Sequence, residues 1–122
     1  MSTKNKNHDD DSCKIARMAI QDTLDIVGGK WKLVLISVLR SGKRKFNELS
    51  KEVNISPRIL SKELQELEVN GLVSRTVCNT KPVTVEYTLT KYSETLSEVV
   101  LAMHKWGIAH RKKIIKSNKP NT

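Results

Sequence analysis

A mainly α-helical domain carrying a small β-hairpin is the fold class this sequence predicts, on three observations. From Phe46 to Gly71 (FNELSKEVNISPRILSKELQELEVNG) two helical patterns are joined by a tight turn. Directly after them Leu72–Val77 is a β-rich run, and Val83–Leu89 alternates with period two, the pattern of a half-buried strand. Cys78–Pro82 between these runs is short enough for a hairpin. Longer helical segments flank this block on both sides, and their apolar surface exceeds what so small a core can cover.

Residues 1–11 are polar and are expected to form a disordered tail. Asp9, Asp10 and Asp11 followed by Ser12 resemble a helix N-terminus, with carboxylates at the positive end of the dipole and a serine cap. The first helix then runs through Ile15, Met18, Ala19, Ile20, Leu24, Ile26 and Val27 until Gly28-Gly29 breaks it. Lys30–Arg40 (KWKLVLISVLR) is apolar almost all round and is expected to be the central core helix, stopped by Ser41-Gly42. Lys43, Arg44 and Lys45 form a basic link to the helix pair.

In the first helix of the pair, Phe46, Leu49 and Val53 make an apolar stripe, and Asn54-Ile55 bridges to the second. Ser56 is an N-cap residue followed by Pro57 at the first helical position, where the missing N–H costs nothing. Gly71 stands where a helix needs a left-handed residue past its end. Leu60, Leu64 and Leu67 recur at i, i+4 and i+7; advancing about 100° per residue puts Arg58, Lys62 and Gln65 on the opposite side, with Ser61 among them.

Thr90 opens a last long helix to about Lys116, with Leu96, Val99, Val100, Met103, Trp106 and Gly107 on one face. That face is expected to pack with Ile15, Met18 and Ala19 of the first helix across a two-fold axis. The folded unit is therefore expected to span residues 12–116, with residues 117–122 a flexible tail.

At 122 residues the chain makes one domain with a modest core, and 38% hydrophobic with 29% charged residues suits a soluble globular protein. No apolar run approaches the roughly 20 residues that span a bilayer, and MSTKNKNHDDD lacks the apolar region of a signal peptide, so a cytoplasmic protein is expected. The net charge of +9 favours an anionic partner. Cys13, Cys78, His8, His104 and His110 lack metal-ligand spacing, and Gly28-Gly29 fits neither a phosphate loop nor a dinucleotide fingerprint. No metal, cofactor or enzymatic activity is expected, because no nucleophile stands with a base and an orienting group.

Helix, turn, helix and a hairpin with a basic tip is the order of a winged helix-turn-helix. There the second helix enters the DNA major groove and the wing reaches the backbone or minor groove. On this reading Arg58, Lys62 and Gln65 address base edges or flanking phosphates, Ser56 and Ser61 make lesser contacts, and Lys43, Arg44, Lys45 and Lys81 meet phosphates. A homodimer presents two such helices about one DNA turn, ~34 Å, apart. The alternatives are a single-strand or RNA binder and a winged-helix interaction module without operator specificity. The first fits poorly, since only five aromatic residues are available for base stacking.

LDIVGGKWKLVLISVL (24–39), KFNEL (45–49), ISPRILSKELQELEVNGLV (55–73), VEYTLT (85–90) and Trp106-Gly107 resemble the HxlR-type winged helix-turn-helix regulators, bacterial transcription factors related in fold to the MarR group. The resemblance implies a dimer built from the terminal helices that binds palindromic operator DNA. It also implies a thiol sensor for electrophiles or oxidants near the first helix, for which Cys13 is the candidate, although Cys13 lies further from Gly28 than the family pattern and Lys14 stands where proline is common. Lys14 and Arg17 favour the thiolate there, and Asp9, Asp10 and Asp11 oppose it.

Overall fold

The computed structural model describes residues 4–118. Five α-helices and a three-stranded antiparallel sheet follow one another as α1 (Lys4–Val27), α2 (Lys32–Leu39), β1 (Arg44–Lys45), α3 (Phe46–Val53), α4 (Pro57–Val69), β2 (Val73–Cys78), β3 (Thr84–Leu89) and α5 (Ser97–Asn118). A 3-10 helix over Tyr92–Leu96 leads into α5. The expected helix–turn–helix and hairpin are present within a residue or two of their sequence-derived bounds.

Three expectations change. The first helix begins at Lys4 rather than at Ser12, so residues 4–11 are helical and Asp9–Asp11 lie inside α1 instead of ahead of it. The remainder of the two expected tails, residues 1–3 and 119–122, lies outside the described residues. The basic link is partly a strand: Arg44 pairs with Tyr87 and Lys45 with Glu86, giving sheet order β1-β3-β2 where a two-stranded hairpin was expected. The last α-helix starts at Ser97 rather than Thr90, because the segment Thr90 opens is first a 3-10 helix, with the Ser93 N–H donating to Thr90 Oγ1 (3.3 Å). Thr90 is also tied to the end of α4, its N–H donating to Leu72 O (3.1 Å) and its hydroxyl to Gly71 O (2.5 Å). As expected of the core helix, α2 is buried on most sides, through Leu35, Ile36 and Leu39; Val34 is 43% exposed, and Lys32 is buried with the leucines.

The core lies where α2, α3 and α4 meet the sheet. Leu60, Leu64 and Leu67 of α4 are fully buried beside Leu35, Ile36, Leu49, Ile55, Leu72, Val73 and Tyr87. Phe46 packs on this core with its ring centroid 6.4 Å from that of Tyr87. The α3–α4 turn is made by Asn54 in the left-handed region (φ 58°), with Ser50 Oγ donating to Ile55 O at 2.7 Å. At the far end of α4 the Leu72 N–H donates to Leu67 O and the Gly71 N–H to Glu68 O, both at 2.9 Å. These two bonds form a Schellman cap, and Gly71 supplies its positive φ of 73°. Gly28 is needed for a different reason: a Cβ there would lie 2.2 Å from the Leu24 carbonyl oxygen that closes α1.

By contrast α1 and α5 stand largely clear of that core. Ile15, Met18, Ile20 and Leu24 are each more than half exposed, and Val27 is the residue of α1 that the core takes in. On α5 Leu101, Met103, Trp106 and Ile115 are exposed as well.

Candidate nucleic-acid interface

The side of α4 opposite its leucines meets solvent. Arg58, Ser61, Lys62 and Gln65 are all exposed, as the helical phase of the sequence requires. Ser56 is the N-cap that the sequence indicates: its Oγ accepts from the Ile59 N–H at 3.3 Å, so the hydroxyl caps the helix that carries the basic face and is engaged there rather than free for DNA. Gln65 lies further along, at a cleft it shares with Asp25, Lys32, Glu66, Val69 and Asn70, where the end of α1 approaches α4. Arg58 and Lys62, in the first two turns, therefore hold the end of the helix most removed from α1.

The cations outside α4 divide into two kinds. Lys45 and Lys81 are exposed, the latter at the tip of the wing between β2 and β3. Lys43 is exposed but its Nζ stands 4.0 Å from Glu86 Oε1. Arg44 is committed: its Nε donates to Glu52 Oε1 (3.1 Å) and its Nη1 to the carbonyls of Gly42 (2.8 Å) and Lys43 (3.2 Å). That guanidinium fastens the turn before α3 to α3 itself. Sequence reasoning passed over Arg75, exposed on β2 opposite Tyr87, because a lone arginine in a strand carries no periodic signal.

It also passed over Lys32. This lysine is 7% exposed, and its Nζ sits 2.5 Å from both Glu63 Oε2 and Glu66 Oε2 of α4. Burial by itself pulls the Lys32 ammonium down, but the hydrogen bonds and charges of Glu63 and Glu66 outweigh it and hold the group above the ordinary lysine value. Glu66 is held below the usual carboxylate range by the Lys32 hydrogen bond first, then by the charges of Lys32 and of Lys62 one turn away. In the sequence Lys32 looked like an interruption of an apolar helix, and its partners lie about thirty residues away.

The residues expected at a dimer interface also divide. Ile15, Met18, Ala19, Val99, Met103 and Trp106 are exposed, while Leu96 and Val100 are half-buried against the subunit's own core. Trp106 stacks on His110 with centroids 4.7 Å apart. Cys13 is exposed and, because α1 begins at Lys4, lies in the third turn of that helix. Cys78, on the wing, donates its S–H to Glu86 Oε1 at 3.2 Å. No described helix is long and apolar enough to cross a membrane.

A capped, outward-facing second helix, a preceding helix at a tight turn and a three-stranded wing define a helix-turn-helix transcriptional regulator with the winged fold of the MarR group. The chain belongs to the HxlR-like helix-turn-helix family, whose model matches residues 26–115. It is 43% identical over 98 residues to the HTH-type transcriptional regulator YdeP of Bacillus subtilis, covering 80% of this chain and 77% of that one. Among solved structures it resembles the redox regulator HypR in its reduced form (39% identity, TM-score 0.73, 80% of this chain and 98% of that one). It also resembles a transcriptional regulator of the MarR family from Enterococcus faecalis V583 (34% identity, TM-score 0.68, 82% and 92%). The family and these relatives are regulators, not enzymes.

Proposed function

We propose that this chain is a homodimeric regulator that binds palindromic duplex DNA, with α4 in the major groove and the β2–β3 wing at the backbone or minor groove. The observation that carries the reading is the exposure of Arg58, Ser61 and Lys62 on a helix whose other side is locked into the core by three fully buried leucines. A helix presented in this way offers donors to base edges from its N-terminal turns. Lys45 and Lys81 supply backbone contacts that set register without reading sequence. The dimer is supported by the apolar side chains that α1 and α5 leave uncovered, Met18, Leu24, Met103 and Trp106 among them. A single-strand or RNA role is disfavoured, because Trp31, Phe46 and Tyr87 pack in or against the core and are not available for stacking.

Regulation through Cys13 belongs to the same reading. It is supported by the exposure of that thiol and by the likeness to a protein described as a redox regulator. The test of the DNA reading is selection of bound duplexes from a random pool, followed by titration of the winner. The reading expects a palindrome with half-sites about one turn apart, bound at least tenfold more weakly by the Arg58→Ala and Lys62→Ala variants. Enrichment of no duplex sequence, or full affinity in both variants, overturns it.

A further inference from the structure

Resting on the DNA-binding reading, we infer that Lys32 is a positioning residue for DNA recognition. It fixes the placement of α4 on α2 through an ion triad, sheltered at Lys32 and Glu63 and open to solvent at Glu66, and so aims Arg58 and Lys62. The leucine stripe alone does not settle that placement. Leu60, Leu64 and Leu67 anchor α4 by apolar contact, which is non-directional and tolerates a small slide or roll along a smooth partner. Charge-assisted hydrogen bonds are directional. Lys32 makes one to Glu63 and an ion contact to Glu66, at 2.5 Å each, and these carboxylates stand three residues apart on α4, so both the rotation and the axial position of that helix are tied to one point on α2.

The side of α4 that is gripped also fits the role. Stepping about 100° per residue from Glu63, Arg58 and Ser61 fall on the far side of the helix, while Gln65 borders the cleft that Lys32 and Glu66 line. The clamp therefore leaves Arg58 and Ser61 free and sets their angle from behind. Lys62 is linked more directly, since its charge acts on Glu66 one turn later. Lys32 is itself too buried to reach a phosphate, with a side chain 9% exposed. Asp25 of α1 lines the same cleft, which places the start of the clamp beside the helix proposed for dimerisation.

The test compares wild type with a neutralised triad (Lys32→Met with Glu63→Gln and Glu66→Gln), with Lys32→Met alone and with Lys32→Arg. Removing all three charges together avoids leaving a buried ion without a partner, so the triple variant is expected to melt within a few degrees of wild type. Two readouts follow on each protein. Without DNA, amide exchange in α4 of the triple variant is expected to rise at least threefold relative to exchange in α2. With DNA, affinity for the duplex selected by wild type is expected to fall about tenfold. Affinity for a scrambled duplex of equal length, and the salt slope, stay unchanged because no phosphate contact is lost. Lys32→Arg keeps the charge and the two donors and is expected to bind the selected duplex within about threefold of wild type. Should the triple variant misfold, the contrast between Lys32→Met and Lys32→Arg carries the same comparison. Wild-type affinity in the triple variant overturns the inference, even if α4 exchange rises, and so does an equal loss on selected and scrambled duplex. Failure of wild type to select any duplex would instead defeat the DNA reading, while the exchange data still decide whether Lys32 holds α4.

Discussion

Lys32 Nζ lies 2.5 Å from Glu63 Oε2 in a contact whose two side chains are 9% and 15% exposed, between the core helix and the helix that carries the basic face. A pair so sheltered stabilises little against an apolar replacement but costs a good deal when broken from one side. Lys32→Met alone leaves Glu63 sheltered without its partner, and is expected to destabilise the fold by roughly 3 kcal/mol, or on the order of 10 °C in melting temperature.

The same triad predicts how that loss depends on pH. The folded value of Glu66 is lowered, so its contribution is present above its ordinary value of 4.5 and disappears as pH falls through the lower folded value. The folded value of Lys32 is raised, so its contribution is complete below 10.5 and disappears as pH rises through the higher folded value. The gap in melting temperature between wild type and Lys32→Met should be widest and level from about pH 5 to 10, narrowing at both edges. Thermal melts across that range check it, and a gap that stays constant down to pH 3 would exclude the triad as its source.

Arg44 and Lys81 are neighbours in charge but not in use. The Arg44 guanidinium is shared among Glu52 and two carbonyls of the turn, whereas Lys81 projects from the wing tip. Arg44→Ala is expected to lower the melting temperature by a few degrees, the effect of about 1 kcal/mol, and to leave the salt slope of DNA binding alone. Lys81→Ala is expected to reduce that slope by about 1 per subunit with the melt unchanged. Binding isotherms at four salt concentrations separate the two; an equal slope change in both variants would mean that Arg44 is released on the DNA.

These contrasts mark what the sequence could and could not say. The elements at Phe46–Val53, Pro57–Val69 and Thr84–Leu89 were legible because period, cap and turn chemistry agree there: Ser56 with Pro57 at one end of α4, Gly71 at the other, and strict alternation in β3. The outward face of α4 follows from the same phase. Lys32 was not legible, because a lysine inside an apolar helix carries no sign of carboxylates folded onto it from Glu63 and Glu66. Nor was the fate of Arg44: its partner Glu52 is eight residues off, and the short strand that brings them together pairs with β3 across the fold. At the chain start, Asp9–Asp11 and Ser12 carry the local chemistry of a cap yet lie within a longer helix, since capping residues permit a helix to begin without compelling it.

Self-association should pass through the uncovered faces of α1 and α5. Trp106 is 68% exposed and Met103 54%, more than a subunit of this size leaves in water without a use. Trp106→Glu replaces that apolar surface by a charge. The variant is expected to keep its melting profile at low concentration but to sediment as a monomer where wild type sediments as a dimer, and to bind the selected palindrome at least a hundredfold more weakly. Dimeric sedimentation of Trp106→Glu would move the interface elsewhere.

Thiol dependence separates the two cysteines. Cys13 is exposed on α1, the helix proposed to form the dimer, with Arg17 one turn further along. Cys78 is half-buried on the wing and bonded to Glu86. Attack on diamide needs an accessible sulfur, which favours Cys13. If modification there disturbs the α1 packing that spaces the two recognition helices, wild type should lose at least tenfold in affinity for the selected duplex after diamide and recover it with dithiothreitol. Cys13→Ser is expected to bind like untreated wild type and to ignore diamide, while Cys78→Ser responds as wild type does. A gel-shift series with the three proteins decides it: a Cys13→Ser protein that still releases DNA on oxidation would place the sensitive thiol on the wing, or show that Cys13 has no part in the response.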